Sequence, residues 1–433
     1  MNRRDFLKLS SVSATVLAVD LALPEHAFAK DTYDVQKNGF SILQGLTTQT
    51  TTQLTVDVPK QMNVHYELIH TSTGKSYSPH YLKQATRDSS DWRVDKLAYI
   101  NLPYLGEFIF RVLDDKKKIL DERNLGLLDI EKRDARFAMM SCMMDSNKNK
   151  DVIWPRVEQA DCDLLFFIGD HVYGDILATF NGPELLWRRY IETRQKLPYY
   201  HWKNLKPALV TWDDHDYGAN NTNGNYKHKN DSLDTFRAFT AQDDIVSSFE
   251  NGPGVSSFFR AFGQKFLLLD NRYFKGLMHN GMKGFLGQDQ MDWAFSRLVT
   301  GTEPNWIMEG SQFFQGQRKG NECYILDAPQ ECELFRKKIS QLNSPSVFAA
   351  GDVHFTEVNK LPKDYFGYNT VEITSSSLHS MAKSSLPKNP TRLYGEGAEN
   401  FVVIDLVPTQ YELSFAYQDV TAKKVSFKGS FGI

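Results

Sequence analysis

Four apolar runs in this sequence end in residue types that bind cations, and that regularity constrains the fold more than any other feature. The run at 137–140 is followed by Ser141-Cys142, and the run at 164–168 by Gly169-Asp170-His171-Val172-Tyr173. The run at 208–212 leads through Trp212 into Asp213-Asp214-His215-Asp216, and that at 347–350 into Gly351-Asp352-Val353-His354. Short apolar runs spaced by amphipathic segments read as strands of an α/β or α+β domain. Open α/β sheets collect ligand sites at the carboxyl ends of their strands. A single Asp after a strand is ordinarily a turn former or a helix cap. Four exits carrying Cys, Asp, Tyr and His are too regular for capping alone. Carboxylates gathered at this density need cations if all of them are to stay ionised.

Further strands are expected at 266–269, 306–308 and 371–373, and again at 401–407, 411–417 and 424–427. The segment 288–299 places Met291, Phe295, Leu298 and Val299 on one helical face; 331–342 does the same with Cys332, Phe335, Ile339 and Leu342. Residues 30–133 have a different texture. Alternating runs such as Gln53-Leu54-Thr55-Val56-Asp57-Val58 are separated by turn clusters such as Thr73-Gly74, and no helical period appears. This pattern predicts a β-sandwich of the immunoglobulin or fibronectin kind. The charged stretch Glu131-Lys132-Arg133-Asp134 is expected to link it to a catalytic domain over 134–433.

Residues 1–29 read as a signal for the twin-arginine export machinery. Arg3-Arg4 precedes an apolar stretch from Val12 to Leu23, and Ala27-Phe28-Ala29 supplies a cleavage site. The expected destination is the periplasm or the exterior. Asp20 interrupts the apolar stretch, which argues against a membrane span, and no transmembrane segment is expected after signal removal. Twin-arginine substrates fold before export, a route suited to a protein loaded with metal. Lys and Arg total 50 against 53 Asp and Glu, so no basic field favours a nucleic-acid coat role. The four cysteines have no zinc-finger spacing; Cys323 and Cys332 are equally compatible with a disulfide and with two thiols.

The segments Ser141-Cys142, Gly169-Asp170-x-x-Tyr173, Trp212-Asp213-Asp214-His215-Asp216-Tyr217-Gly218-x-Asn220 and Gly351-Asp352-Val353-His354 have a familiar type and order. With Leu268-Leu269-Asp270-Asn271-Arg272 and Glu372-Ile373-Thr374-Ser375-Ser376-Ser377, they resemble the calcineurin-like metallophosphoesterase superfamily, and more closely its alkaline phosphatase D (PhoD-like) family. The resemblance runs from about Ala135 to Ser380. It implies a four-layer α-β-β-α catalytic domain behind the sandwich, and hydrolysis of phosphate monoesters or diesters by a metal-bound hydroxide. Other readings are a phospholipase D-like diesterase and a non-catalytic binding protein on a vestigial fold.

Carried over residue by residue, the resemblance makes Asp170 the carboxylate shared by two metals. Cys142 and Tyr173 become soft ligands that favour iron, with Asp352 and His354 from the last motif. Asp214 and Asn220 would supply oxygens for calcium or another divalent ion such as zinc or manganese. Asp213 is either a ligand or a carboxylate hydrogen-bonded behind the ligands. His215 would protonate the leaving alkoxide or orient the phosphate. Arg272 is expected either to contact the phosphate or to pair with a nearby carboxylate. Asp175 would join the cluster or cap a helix. Asn221 departs from the family pattern, where Asp is common, and the segment 315–330 is divergent.

Overall fold

A computed structural model of the chain describes residues 33–175, 182–315, 322–383, 385–408 and 413–433. The expected signal segment lies outside the described residues. The chain divides into a unit Met1–Asn38, whose described part holds the short helix Val35–Asn38, and a unit Gly39–Ile433.

Alternation in the first third of the larger unit produces two four-stranded antiparallel sheets. Their strands are β1 (Ser41–Thr47), β2 (Thr52–Pro59), β3 (His65–His70), β4 (Ser76–Tyr77), β5 (Tyr81–Thr86), β6 (Trp92–Tyr99), β7 (Glu107–Leu113) and β8 (Ile119–Gly126). The orders are β1-β2-β6-β5 and β4-β3-β7-β8. No later strand joins either sheet among the described residues.

The remainder holds two larger sheets. One contains β9 (Arg136–Met140), β10 (Leu164–Ile168) and β11 (Ala208–Thr211). The other is built on β12 (Phe249–Asn251), β13 (Ser257–Ala261) and β14 (Gln264–Leu268), with a two-stranded hairpin, β15 (Met278–His279) and β16 (Met282–Lys283), standing apart. It continues through β17 (Asn305–Met308), β18 (Ser346–Ala350), β19 (Thr356–Leu361), β20 (Thr370–Thr374) and β21 (Arg392–Glu396). The last strands, β22 (Asn400–Val407), β23 (Ser414–Thr421) and β24 (Val425–Gly432), return to the first sheet. Strands β9, β10 and β11 are mutually parallel, as are β14, β17, β18 and β20.

Because side chains alternate across a strand, each parallel strand serves two cores. Phe137 and Met139 of β9 meet Phe266, Trp306 and Val347 of the other sheet. Ala138 and Met140 face instead the helix Lys150–Gln159 through Ile153, Trp154 and Val157. On the far side, Leu267, Ile307 and Phe348 meet the helices Gln288–Leu298 and Pro329–Ser340 through Met291, Phe295, Phe335 and Ile339. The layers are helix, sheet, sheet, helix, a mixed α/β arrangement behind the smaller sheets. All four cysteines are free and buried, so Cys323 and Cys332 are two thiols, and Cys332 packs in the core with Phe335 and Ile339.

Candidate metal centre

The parallel strands end where the sequence changes from apolar to acidic, and these ends converge. Three sets of donor atoms lie within 4.8 Å of one another: Cys142, Asp170 and His354; Asp170, Asp214 and His215; Asp170, Asp213 and Asp352. Asp170 belongs to all three. The backbone turns sharply to present them. Cys142, Asp170, Asp352 and His354 have φ of 58°, 54°, 68° and 60°, a left-handed region that costs a non-glycine residue free energy and persists only where the surroundings enforce it. Two glycines admit the acids. A Cβ on Gly169 (φ +92°) would stand 2.7 Å from Asp213 Cβ, and one on Gly310 2.6 Å from Asp213 Cβ and Cγ.

Hydrogen bonds fix most of the donors. Cys142 Sγ lies 3.5 Å from Asp170 Oδ2 and accepts from Ser376 Oγ at 3.2 Å. The Tyr173 hydroxyl donates to Ser380 Oγ at 3.2 Å, and that oxygen lies 3.3 Å from His354 Nε2. The Asn221 N–H donates to Asp214 Oδ2 at 2.6 Å. The His215 ring packs against Tyr173, tilted by 31° with centroids 4.4 Å apart, and its Nδ1 lies 2.6 Å from Asp175 Oδ1. The other Asp175 oxygen accepts the N–H of Asn220 at 2.8 Å.

Electrostatics test whether this set fits cations. Burial, reinforced by Cys142, Asp214 and Asp213, pushes the Asp170 carboxyl well above the ordinary carboxylate range. Burial with Asp213 and Asp214 lifts Asp352 to about 8. Burial raises Asp213 to about 6 although Arg272 opposes it. Burial acts the same way on Asp214, but Arg272 and His215 overcome it and hold that carboxyl at about 2. The Cys142 thiol is pushed up to about 12 by burial despite its serine donors. Burial lowers His354 to about 4, leaving the neutral imidazole that a metal requires. Asp213 Oδ2 is buried without a hydrogen-bond partner. Positive charge among these groups would relieve the repulsion and take up that oxygen. The residues therefore fit metal ions.

Comparison with solved structures finds one described as "Structure of PhoD", with a TM-score of 0.68 at 16% identity, over 94% of this chain and 90% of that chain. The chain has the fold of PhoD. A Thermus thermophilus protein, TT1561, aligns over 56% of this chain and 90% of its own at 8% identity, with a TM-score of 0.29 that carries no argument. No protein-family model and no curated protein matches the chain.

On this PhoD-like fold, Cys142, Asp170, Asp213, Asp214, His215, Asp352 and His354 lie together, with the Tyr173 ring against that of His215. Of the two roles expected of Arg272, the structure shows the ion pair with nearby carboxylates. The side chain has no exposed surface and lies behind the acids, where its Nε donates to Asp213 Oδ1 at 2.5 Å and its Nη1 to Glu322. Nη2 donates to Ser311 Oγ at 3.1 Å. Asn220 is exposed. His171, His279 and His379 have other partners: Asp216, Glu331, and the Trp154 indole with the Met144 carbonyl.

Some contributors carried no sequence signal strong enough to single them out. Asp216 accepts the N–H groups of Asp170, Val172 and Asp213 at 2.6, 2.7 and 2.9 Å, which pins two strand exits to one carboxylate. Ser376 and Ser380 follow β20 in the segment Ser375-Ser376-Ser377-Leu378-His379-Ser380. Glu309, at the end of β17, is fully buried, and neither carboxylate oxygen has a hydrogen-bond partner. Burial, with Asp213 and Glu372 adding to it, pushes its carboxyl well above the ordinary range. The only cue to it was its position one residue beyond an apolar run.

Proposed function

We propose that the chain is a metal-dependent phosphoesterase acting on phosphate monoesters or diesters. The observation that carries the reading is a single buried carboxylate, Asp170, common to three donor sets. Cys142, His354 and Asp170, with the Tyr173 phenol beside them, form a soft set suited to iron or zinc. Asp213, Asp214, Asp352 and Asp170 form an oxygen set suited to calcium or manganese. Metal ions held there would supply Lewis acidity toward a phosphoryl oxygen and a nucleophile at neutral pH.

The chain's own residues do the rest. Burial disfavours charge on His215, but Asp170, the bond to Asp175 and Asp214 outweigh it and push the imidazole up to about 10. Asp175, bonded to His215 Nδ1, orients the ring and leaves Nε2 to deliver a proton to a leaving alkoxide. Arg272 binds no substrate in this scheme; its guanidinium neutralises Asp213 and keeps the buried acids together. Residues 1–29 are proposed to send the folded protein through twin-arginine export to the periplasm or beyond.

The test is metal analysis of purified protein, coupled to hydrolysis of a phosphate monoester, a nucleotide diester and a phosphatidyl substrate. Bound metal with turnover of at least one ester is expected, and cleavage of the phosphatidyl substrate alone would make it a phospholipase D-like diesterase. No bound metal and no turnover with iron and calcium supplied would sink the proposal. For export, Arg3→Lys with Arg4→Lys should retain the protein in the cytoplasm; unaltered fractionation would exclude that route.

A further inference from the structure

An alternating strand ordinarily turns its polar side to water, yet every residue of β2 from Thr52 to Val58 is buried. Leu54, Val56 and Val58 lie on one side, and Gln53, Thr55 and Asp57 on the other. The polar side meets the helix Pro183–Lys196 and the chain after the helix Lys229–Phe239. Arg194 Nε lies 3.1 Å from Asp57 Oδ2, and its Nη1 donates to Thr55 Oγ1 at 3.1 Å and to the Phe239 carbonyl at 2.9 Å. Gln53 and the Asp243 backbone exchange hydrogen bonds of 2.8 and 2.9 Å. On β6, Lys96 Nζ reaches Asp243 Oδ1 at 2.6 Å. Val94 of β6 shares one apolar cluster with Leu186, Trp187, Tyr190 and Val172. Val172 sits between Asp170 and Tyr173.

The same helix also holds the candidate site. Arg189 Nε donates to the Tyr173 carbonyl at 3.0 Å, and Nη2 to Asp145 Oδ1 at 2.6 Å, three residues beyond Cys142. The Tyr190 hydroxyl donates to the Asp216 carbonyl at 3.3 Å, and the Asp216 carboxylate takes the N–H groups of Asp170 and Val172. One helix therefore has the sandwich sheet at Arg194 and the site loop at Arg189 and Tyr190. Asp170, at φ 54°, needs such outside support.

We propose that the sheet β1-β2-β6-β5 braces the site, and that Asp57, Arg194 and Val94 are positioning residues that set the loop 169–173 through the helix Pro183–Lys196. The sandwich is on this reading part of the working centre rather than an appended module. The proposal goes beyond the phosphoesterase reading, and its test is read on the metal-free protein.

Hydrogen exchange of the full chain, followed peptide by peptide, tests it. The reporter is 165–175, which contains the Asp170 and Val172 amides; the control is 305–310 in and after β17, which none of the three side chains touches. Asp57→Asn and the milder Val94→Ala are compared with wild type well below their unfolding temperatures. The expected result is roughly tenfold faster exchange at 165–175 with 305–310 unchanged. If Asp57→Asn does not fold, Val94→Ala carries the test alone. Unchanged exchange at 165–175 would overturn the proposal. So would equal acceleration of both peptides, since that reports only global destabilisation. Loss of the phosphoesterase reading would leave the exchange comparison standing, and the reverse also holds.

Discussion

Replacing Arg272 with Met separates its two possible roles. The side chain has no exposed surface; it bonds Asp213, Glu322 and Ser311 and lies 4.0 Å from Asp214. Met fills most of the volume but leaves Asp213 and Glu322 without their cation. Breaking a buried ion pair from one side costs about 3–5 kcal/mol. The unit Gly39–Ile433 has about 400 residues, and an unfolding entropy of about 2.1 cal/mol/K per residue makes ~0.8 kcal/mol/K if it unfolds together. The midpoint should therefore fall by roughly 4–6 °C. The same loss makes the acid cluster more negative, so manganese should raise the variant's midpoint by more than it raises wild type's. The assay is calorimetry of chelator-treated protein with and without manganese, alongside steady-state kinetics. A midpoint within about 1 °C of wild type together with a raised KM would refute the reasoning and restore Arg272 as a substrate contact.

Asp175→Asn keeps the shape beside His215 Nδ1 and removes the charge, so kcat should fall roughly tenfold to a hundredfold with KM little changed; wild-type turnover would dismiss the pairing as incidental. Gly310→Ala places a methyl 2.6 Å from Asp213 Cβ and Cγ, and calorimetric titration should show weaker manganese binding, with unaltered affinity counting against Asp213 as a cation-facing group. Away from the site, burial lifts Asp419 from 3.8 to about 7, against the Tyr394 hydroxyl bond and with Glu396 adding to the rise. The folded chain then binds more protons than the unfolded one between those values, so stability is lost as pH rises through that window. Asp419→Asn should raise the midpoint at pH 8 and not at pH 3.5, and equal effects at both would show that Asp419 is ionised in the fold.

Much of the candidate metal centre was legible because strand exits are local. Apolar runs of four or five residues followed by Gly-Asp or Asp-Asp-His place the acids at carboxyl ends whatever the sheet order, and Cys142, Asp170, Asp214 and His354 follow from that alone. The alternation Gln53-Leu54-Thr55-Val56-Asp57-Val58 likewise fixed two faces of β2. The fate of the second face depended on contacts no local pattern encodes: Asp57 meets Arg194 from 137 positions away in the chain. The same holds at the site. Arg272 carries the chemistry to bind phosphate, and only the packing of Asp213 and Glu322 around it assigns its charge inward. Asp175, just beyond one motif, and Asp216, inside another without a role of its own, acquire partners only when two parallel strands bring residues forty or more positions apart within hydrogen-bond range. The sequence by itself determined which residues are chemically able to hold a cation and on which strand ends they stand. Tertiary structure alone decided which of them converge on one centre and which pair elsewhere, because that choice is made by the surfaces that cover each face.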